Sequence, residues 1–387
     1  MSKLNDFLFR KKNDHRLGAL GRSIALTILL VLLISPLHAA DKKRILIVSS
    51  YHREYLWSRD THHGVCTALN ELGYFDQKEQ IDTFTSKDRV ETSRAVLLKL
   101  WMDTKRKSDK LEMAASARRI LEEAEKFRPD VVLLGDDNAT NLIGTHYLDT
   151  QTPVVFWGVN IWPLKYGLLD SIERPGHNVT GVYQPGYIRE GLEFLVKLTP
   201  EVRMLGVLAD ESETSMAKIK ELYRLESAGK LPVKIVGTVV TNDEAAWKAG
   251  ALKLAKKVDA FYLANHNTLR DASGKPVDQL ALGAWYLRNI LKPDIGDEKQ
   301  FVEEGVLCVA DDSGYKQGYE AVRMAHRILA EGADPALMPP VAPSRGALIV
   351  NKTRARMLGI EGRLAGLSLI EAFIERSEAL DRYPDKP

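Results

Sequence analysis

The segment 131–160 constrains the fold most strongly. It reads VVLLGDDNATNLIGTHYLDTQTPVVFWGVN, in which the apolar runs 131–134 and 154–157 flank a segment, 139–147, that can form a short helix. Continuous apolar runs of this length are typical of strands buried on both faces, as in a parallel sheet covered by helices. Ligands bind such sheets at the carboxyl ends of the strands, beside free helix N–H groups. The loops 135–140 and 158–160 are therefore the first candidates for a binding surface.

Length and charge set the broad class. The chain has 387 residues, more than the ~100–200 typical of one domain, so we expect two domains. Hydrophobic residues make up 45% and charged residues 27%, which is an ordinary globular composition. The formal net charge is only +2, so no nucleic-acid partner is expected.

The N-terminus has the pattern of a secretory signal peptide over residues 1–40. Basic side chains precede the uncharged run 24–37, and the small residues Ala39 and Ala40 follow it. The run is shorter than the ~20 residues that a membrane-spanning helix needs. We therefore expect export to the periplasm with cleavage after Ala39 or Ala40. An uncleaved N-terminal anchor stays open, because the basic segment is long.

The two cysteines, Cys66 and Cys308, lie far apart in the sequence. They could form a disulfide in an oxidising compartment, or both could be buried thiols. The sequence favours buried thiols, because free cysteine is among the most buried residue types.

The chain after the signal peptide alternates predicted strands with predicted helices. The first series has strands at 44–49, 81–85, 131–134 and 154–157, and helices at 61–72, 139–147 and across a long helical region, 86–127. The second has strands at 179–183, 204–208, 233–240 and 260–263, and helices at 188–198, 215–228 and 243–256. Further elements are expected at 280–291, 306–310, 319–329, 347–350 and 353–358. This order predicts two doubly wound α/β lobes with parallel sheets.

Motifs of known catalytic or metal sites are absent from the sequence. It contains no G-x-S-x-G, H-E-x-x-H, C-x-x-C or phosphate-binding glycine motif. Neighbouring His62 and His63 would point about 100° apart on a helix and cannot easily bind one metal. We therefore predict no catalytic residue, no metal ligand and no cofactor.

Polar residues follow the central predicted strands. Asp136, Asp137 and Asn138 could cap a helix, face a ligand, or do both. The aromatic residues at strand ends are individually typical of core or loop anchors, although several together would suit stacking on a flat ligand; they are Tyr51, Tyr55, Trp57, Trp157, Trp162 and Tyr183. The basic link 105–107 is interpreted as a solvated turn.

Several stretches resemble a known family. PVVFWGVN, ERPGHNVTGV, GYEAVRMAHRILAEGADP and ALIVNKTRARMLGI are similar to segments of bacterial extracytoplasmic substrate-binding proteins of ABC transporters, in the branch with the type I periplasmic-binding fold. The resemblance implies two lobes joined by a three-crossing hinge and closing over a small molecule. It places the first lobe at 43–178 and 299–335, and the second at 179–298 and 340–375. The chain is expected to depart from the family pattern at two places: the helical region 86–127 is longer than usual, and a link at 291–304 replaces a strand.

The resemblance also implies a ligand site at the strand ends of both lobes. Carried onto this chain, the candidate residues are Ser50, Tyr51, Asp136, Asp137, Asn138, Trp157, Asn160, Tyr183, Gln184, Asp210, Glu211, Asn265, Asn267, Asp311 and Asp312. Related branches bind amino acids, often aromatic ones, and the many acidic candidates also fit a cationic ligand. The partner it implies is an ABC permease in the inner membrane. Two alternatives are a sensory module that signals to a membrane kinase or chemoreceptor, and a periplasmic hydrolase using paired carboxylates.

Overall fold

The computed structural model describes residues 42–160 and 162–384. The predicted signal peptide, 1–40, lies outside the described residues. Within the described part of the chain, no helix is long and apolar enough to cross a membrane.

The first lobe is built on a six-stranded sheet in the order β2-β3-β1-β4-β5-β6. Its strands are β1 (Lys43–Ser49), β2 (Arg89–Glu91), β3 (Ala95–Trp101), β4 (Val131–Gly135), β5 (Val154–Asn160) and β6 (Val179–Gln184). Neighbouring strands are parallel, except that the edge strand β2 is antiparallel to β3. Its helices up to this point are α1 (Leu56–Glu71), α2 (Lys78–Lys87), α3 (Lys110–Phe127) and α4 (Asp136–Tyr147). Both faces of the sheet are covered, which explains the continuous apolar sequences of β4 and β5.

The second lobe is built on a seven-stranded sheet in the order β13-β12-β11-β10-β9-β7-β8. Its strands are β7 (Met204–Ala209), β8 (Lys234–Val240), β9 (Ala260–Asn265), β10 (Asp294–Gly296), β11 (Cys308–Ala310), β12 (Leu348–Asn351) and β13 (Ala372–Ile374). The strands are parallel apart from the β11 and β12 pair. The helices after β6 are α5 (Ile188–Leu198), α6 (Glu213–Ser227), α7 (Glu244–Ala255), α8 (Gln279–Asn289), α9 (Lys299–Glu304), α10 (Gly314–Glu331), α11 (Lys352–Met357), α12 (Glu361–Leu364) and α13 (Glu378–Arg382).

The chain crosses between the lobes three times. It passes to the second lobe between β6 and α5, and returns between β11 and α10. It crosses again before β12. Helix α10 packs on α1 at two glycines: a Cβ at Gly64 would lie 1.9 Å from Tyr315 O, and one at Gly318 would lie 2.3 Å from Thr61 O. The predicted class, two parallel-dominated α/β lobes joined by three crossings, is confirmed.

The lobe boundaries differ from those expected. Strand β6 belongs to the first sheet, because it pairs with β5, although the second lobe is expected to begin at Val179. Strand β11 pairs with β10 and β12 in the second sheet, so within 299–335 the first lobe contains α10 but not β11. The sequence pattern identifies a buried strand but not the strands with which it pairs. The pairing determines the sheet, and therefore the lobe, to which the strand belongs.

Predicted elements in the first lobe are wrong at two places. The segment 81–85 lies in α2, where Phe84 is fully buried and the chain ends the helix with Asp88 at φ 59. The supposed helix at 90–101 forms β2 and β3, so the long helical region is a hairpin followed by the single helix α3. The run AVLLKLW fits a helical face and a fully buried strand equally well.

In the second lobe, strand β10 lies within the expected link 291–304. Both expected departures from the family pattern therefore disappear.

Both cysteines are buried free thiols. Cys66 lies in α1 of the first lobe, and Cys308 lies in β11 of the second. Burial raises the pKa of the Cys66 thiol to about 11 and that of Cys308 well above its usual value. Neither thiol therefore ionises near neutral pH.

Candidate ligand-binding site

A small cavity lies between the lobes, at the carboxyl ends of both sheets. In this closed form the centre of a water-sized molecule can occupy only about 10 Å³ of it. The first lobe contributes Tyr51, Tyr55, Trp57, Lys105, Asp136, Asn160 and Gln184. The second lobe contributes Thr214, Lys218, Asn265, Glu298 and Gln300. The lobes touch beside the cavity, where Asn267 Nδ2 donates a 2.6 Å hydrogen bond to Tyr55 OH, so the cleft is closed.

Three aromatic side chains form one wall of the cavity. Tyr51, Tyr55 and Trp57 are buried together after β1, and the two tyrosine rings meet edge to face with centroids 5.2 Å apart. Ser50 holds this loop in place, because its Oγ donates to Gly135 O at 2.6 Å and accepts from Ala139 N at 2.8 Å. Burial, together with nearby carboxylates, raises the pKa of both tyrosines well above its usual value, so they remain neutral donors. This wall suits a flat apolar group.

Lys105 brings a positive charge to the same wall. Its side chain is buried, and Nζ lies 4.4 Å from the centroid of the Tyr51 ring and 5.6 Å from that of Tyr55. Among residues 42–160 and 162–384, no carboxylate lies within ion-pair distance of this ammonium group. Burial lowers the pKa of Lys105, because water no longer solvates the charge. The carboxylates of Asp210 and Asp136 act on this charge from beyond ion-pair distance, and a ligand carboxylate would supply a direct partner.

Asp136 places an acidic group at the first turn of α4. Its backbone has φ 69, a left-handed conformation that is costly for a residue other than glycine. Trp57 Nε1 donates a 2.6 Å hydrogen bond to Asp136 Oδ1. Burial is the largest influence on its pKa and raises it to about 8; the charge of Asp137 adds to the rise and the Trp57 hydrogen bond opposes it. A ligand cation would stabilise the ionised form of this carboxyl.

The Asp136 carboxyl fits beside Gly158 because glycine has no side chain. Its φ is +68, and an added Cβ would lie 2.6 Å from Asp136 Oδ1. Glycine is therefore required at this position for two reasons: the backbone has a positive φ, and the carboxylate approaches too closely for a side chain.

The second lobe presents a wall of paired polar groups. Lys218 Nζ lies 2.6 Å from Glu298 Oε1 and 3.0 Å from Asp297 Oδ2, with all three side chains buried. Burial would lower the pKa of Lys218, but the two carboxylates outweigh it and raise the pKa above its ordinary value. Gln300 Nε2 donates to Glu298 Oε2 at 3.2 Å. Lys218 is therefore paired directly with two protein carboxylates, in contrast to Lys105, and the group has one positive and two negative charges.

Five predicted site residues line the cavity together. They are Tyr51, Asp136, Asn160, Gln184 and Asn265. Two more stand directly behind it: Ser50 supports the aromatic loop, and Asn267 bonds Tyr55 across the cleft. Asn138 faces Thr104 instead, donating a 2.8 Å hydrogen bond to its Oγ1.

The other predicted site residues have different surroundings. Trp157 is fully buried in the core of the first lobe between β5 and the helices α1 and α10. Tyr183 belongs to the opposite side of the same sheet, and its backbone O accepts from Gln317 Nε2 at 3.2 Å. Glu211 is exposed at the surface of the second lobe. None of the three lines the cavity.

Asp210 organises the loops of the second lobe. Its Oδ1 accepts from Ser215 Oγ at 2.6 Å and from Ser212 Oγ, while Oδ2 accepts from Asn267 N at 2.9 Å. Burial would raise its pKa, but the nearby Lys105 charge and the hydroxyl donors produce a net lowering. Asp210 therefore holds Asn267 in position as a carboxylate.

Asp311 and Asp312 lie at the interlobe crossing between β11 and α10. Asp311 Oδ1 accepts from Lys299 N at 2.8 Å. Asp312 Oδ2 accepts from Gly186 N, in the crossing that follows β6, at 3.1 Å. Burial raises the pKa of Asp311 to about 7 and that of Asp312 well above its usual value. Asp312 therefore joins two crossings of the hinge.

Several cavity residues come from outside the strand ends. Lys105 lies in the basic link interpreted as a solvated turn, and its burial has no signature in the sequence. Glu298 and Gln300 lie just after β10, the strand that the sequence pattern missed. Lys218 is on α6, one residue before a buried isoleucine. Correct prediction of β10 would have pointed to Glu298.

Metal binding finds no support in the described segments. Across 42–160 and 162–384, no group of three or more His, Cys, Asp or Glu side chains is placed to hold a metal ion.

Together, the fold and the cavity define a two-lobed binding protein of the type I periplasmic-binding class. The family model described as ABC transporter substrate binding protein matches residues 98–363. The chain therefore belongs to the family of ABC transporter substrate-binding proteins, which bind small ligands outside the cytoplasm.

Solved structures support the fold. An ABC domain from Streptococcus pneumonia in complex with L-Trp is 21% identical with a TM-score of 0.66, covering 86% of this chain and 100% of that one. A conserved domain protein from Vibrio cholerae is 20% identical with a TM-score of 0.65, over 86% of this chain and all of that chain. The ligand-free, open structure of a substrate binding protein with adhesive properties from Clostridium difficile has 21% identity and a TM-score of 0.60, over 86% of this chain and 99% of that chain.

A curated relative is the tyrosine-binding protein of Clostridioides difficile strain R20291. It is 25% identical over 199 residues, which are 51% of this chain and 55% of the relative. The chain therefore matches just over half the length of this relative.

Proposed function

We propose that this protein captures an aromatic α-amino acid between its lobes and delivers it to an ABC permease. In this proposal it acts in the periplasm, after export directed by residues 1–40, and binds its ligand without chemical conversion.

One observation carries the ligand class. Lys105 and Asp136 are buried ionisable groups on one wall, and among the described residues neither has an oppositely charged side chain within ion-pair distance; the carboxylates of Asp210 and Asp136 act on Lys105 from farther away. Buried charges are strongly unfavourable until they are paired. An α-amino acid supplies both partners, a carboxylate for Lys105 and an ammonium group for Asp136. The aromatic wall of Tyr51, Tyr55 and Trp57 would then cover its side chain.

The comparisons support the same class. The curated relative is described as binding tyrosine, and the L-Trp complex is a neighbour in fold. A purely cationic ligand fits less well, because it would leave Lys105 unpaired and add a second positive charge beside it.

A thermal-shift panel tests the proposal. It compares L-tyrosine, L-tryptophan and L-phenylalanine with tyramine, indole and putrescine, each at the same concentration. A ligand at 100 times its dissociation constant adds about 2.7 kcal/mol to the free energy of unfolding, which is readily seen. We expect stabilisation by at least one aromatic amino acid and none by tyramine, which lacks the carboxylate. Stabilisation by putrescine or tyramine alone would refute the ligand class.

A further inference from the structure

A group of polar side chains crosses the cleft on the side of Asp137. Within the first lobe, Asp137 Oδ2 accepts a 2.6 Å hydrogen bond from Asn160 Nδ2. Its Oδ1 lies 2.8 Å from Lys165 Nζ and 3.0 Å from Tyr166 OH. The Asp137 side chain is only 3% exposed, so its oxygens are occupied by protein donors.

Two of these donors also reach the second lobe. Tyr166 OH lies 2.7 Å from Glu213 Oε1, and Lys165 Nζ lies 3.6 Å from the same oxygen. Burial and the two carboxylates raise the pKa of Tyr166, so its hydroxyl keeps the proton that it donates. The Lys165 ammonium offsets the charges of Asp137 and Glu213, which would otherwise repel each other.

Both ends of this group adjoin the ligand cavity. Asn160, bonded to Asp137, lines the cavity from the first lobe. Glu213 begins α6, and the next residue, Thr214, lines the cavity from the second lobe. The group therefore connects the two cavity walls without occupying the space between them.

We propose that Asp137, Lys165, Tyr166 and Glu213 form a latch that stabilises the closed state. Asp137 is then a positioning residue at the base of the latch and does not contact the ligand. The contacts to Glu213 join different lobes, so they can form only when the cleft is closed. Interactions present in one of two states shift the equilibrium toward that state. This proposal rests on the proposed function, because it assumes that closure of the lobes retains a ligand.

The variants Glu213→Gln and Tyr166→Phe test the latch, and Glu201→Gln is the matched control. Glu201 pairs with Arg363 at 2.8 Å within the second lobe, and its side chain is 58% exposed against 45% for Glu213. The same charge is lost in both glutamate variants, but only Glu213 contacts the other lobe. Each variant is made in the full chain with spin labels at the exposed residues Thr145 and Lys220, and interlobe distances are measured by pulsed EPR with and without L-tyrosine or L-tryptophan.

We expect E213Q and Y166F to shift the distances toward an open cleft and to raise the dissociation rate of the amino acid by about tenfold, because each loses a charge-assisted hydrogen bond. E201Q should match the wild type. Equal distances and dissociation rates in all three variants would overturn the latch. If neither amino acid binds the wild type but E213Q and Y166F still open the ligand-free cleft relative to E201Q, the latch stands and the proposed ligand class fails.

Discussion

Trp57 Nε1 donates a 2.6 Å hydrogen bond to Asp136 Oδ1 and thereby joins the first turn of α1 to the start of α4. The indole is part of the aromatic wall, and the carboxyl is the acidic group that the first lobe contributes to the cavity. The apolar and charged sides of the site are therefore oriented together. A ligand with an aromatic side chain next to an ammonium group matches this arrangement.

Substitution of Asp136 should separate ligand binding from folding. We expect Asp136→Asn to weaken aromatic amino acid binding by about 2 kcal/mol or more, because the ammonium group loses its buried counter-ion. Folding should be preserved, since Asn keeps the size and can still accept from Trp57. Calorimetric titration measures the affinity, and circular dichroism checks the fold. Unchanged affinity in a folded variant would show that Asp136 does not bind the ammonium group.

The raised pKa of Asp136 predicts a pH dependence of binding. With a pKa of about 8 in the ligand-free protein, the carboxyl is largely protonated at pH 6 and must lose its proton to pair with an ammonium group. Affinity should therefore rise between about pH 6 and pH 8, and binding should release a proton. Calorimetry in buffers of different ionisation enthalpy measures that release. A D136N variant that keeps the same pH profile would contradict this assignment.

The same shift predicts how the ligand-free protein responds to pH. The folded-state pKa of Asp136 lies above its unfolded value, so this carboxyl contributes stability at low pH that is lost as pH rises toward about 8. Replacing Asp136 by Asn removes this contribution. The free energy of unfolding of D136N minus that of wild type should therefore increase from pH 5 to pH 8, which means that the variant becomes more stable relative to the wild type. Denaturant titrations at both pH values measure the difference, and a constant difference would contradict the prediction.

Gly158 should be needed for the position of Asp136. Gly158→Ala places a Cβ 2.6 Å from Asp136 Oδ1 at a φ of +68. Gly167→Ala is a matched control, since its φ is +67 and no atom lies within 4 Å of the added Cβ. Both should lose about 1 kcal/mol of stability through the backbone. Only G158A should also weaken ligand binding, measured by calorimetric titration; an equal affinity in the two variants would show that the close contact is unimportant.

The second lobe should depend on a buried ion pair. Arg354 Nη2 lies 2.6 Å from Asp294 Oδ2 with both side chains fully buried, and the guanidinium also donates to the backbone O of Leu287 and Ile290. Arg354→Ala should cost about 3–5 kcal/mol, because it leaves the carboxylate unpaired. Arg363→Ala removes the exposed partner of Glu201 and should cost less than about 1 kcal/mol. Chemical denaturation compares the two, and similar losses would contradict the account of this pair.

The sequence allowed the lobes to be predicted because parallel sheets need strands that are apolar on both faces. The expectation that ligand contacts lie at strand ends also pointed to Tyr51, Asp136, Asn160, Gln184 and Asn265, and all five line the cavity between the lobes. It failed for Trp157, because a side chain within a strand points to a face of the sheet, and this one points toward α1 and α10.

Other parts of the site could not be read from local pattern. Lys105 looks like a solvated lysine until the second lobe and the aromatic loop bury it. Strand β10 has only three residues, Asp294–Gly296, and its pairing with β9 and β11 identifies it. In both cases the deciding contacts come from residues distant in the sequence.

Lys105 is the residue on which the ligand class depends most directly, so its test uses two ligands that differ only in the carboxylate. Calorimetric titrations measure the binding of L-tryptophan and tryptamine to the wild type and to Lys105→Met, which keeps the length of the side chain and removes its charge. We predict that the wild type binds L-tryptophan at least about 100-fold more tightly than tryptamine, and that K105M loses this preference. Equal binding of the two ligands by the wild type, or an undiminished preference in K105M, would contradict the assignment of Lys105 to the ligand carboxylate.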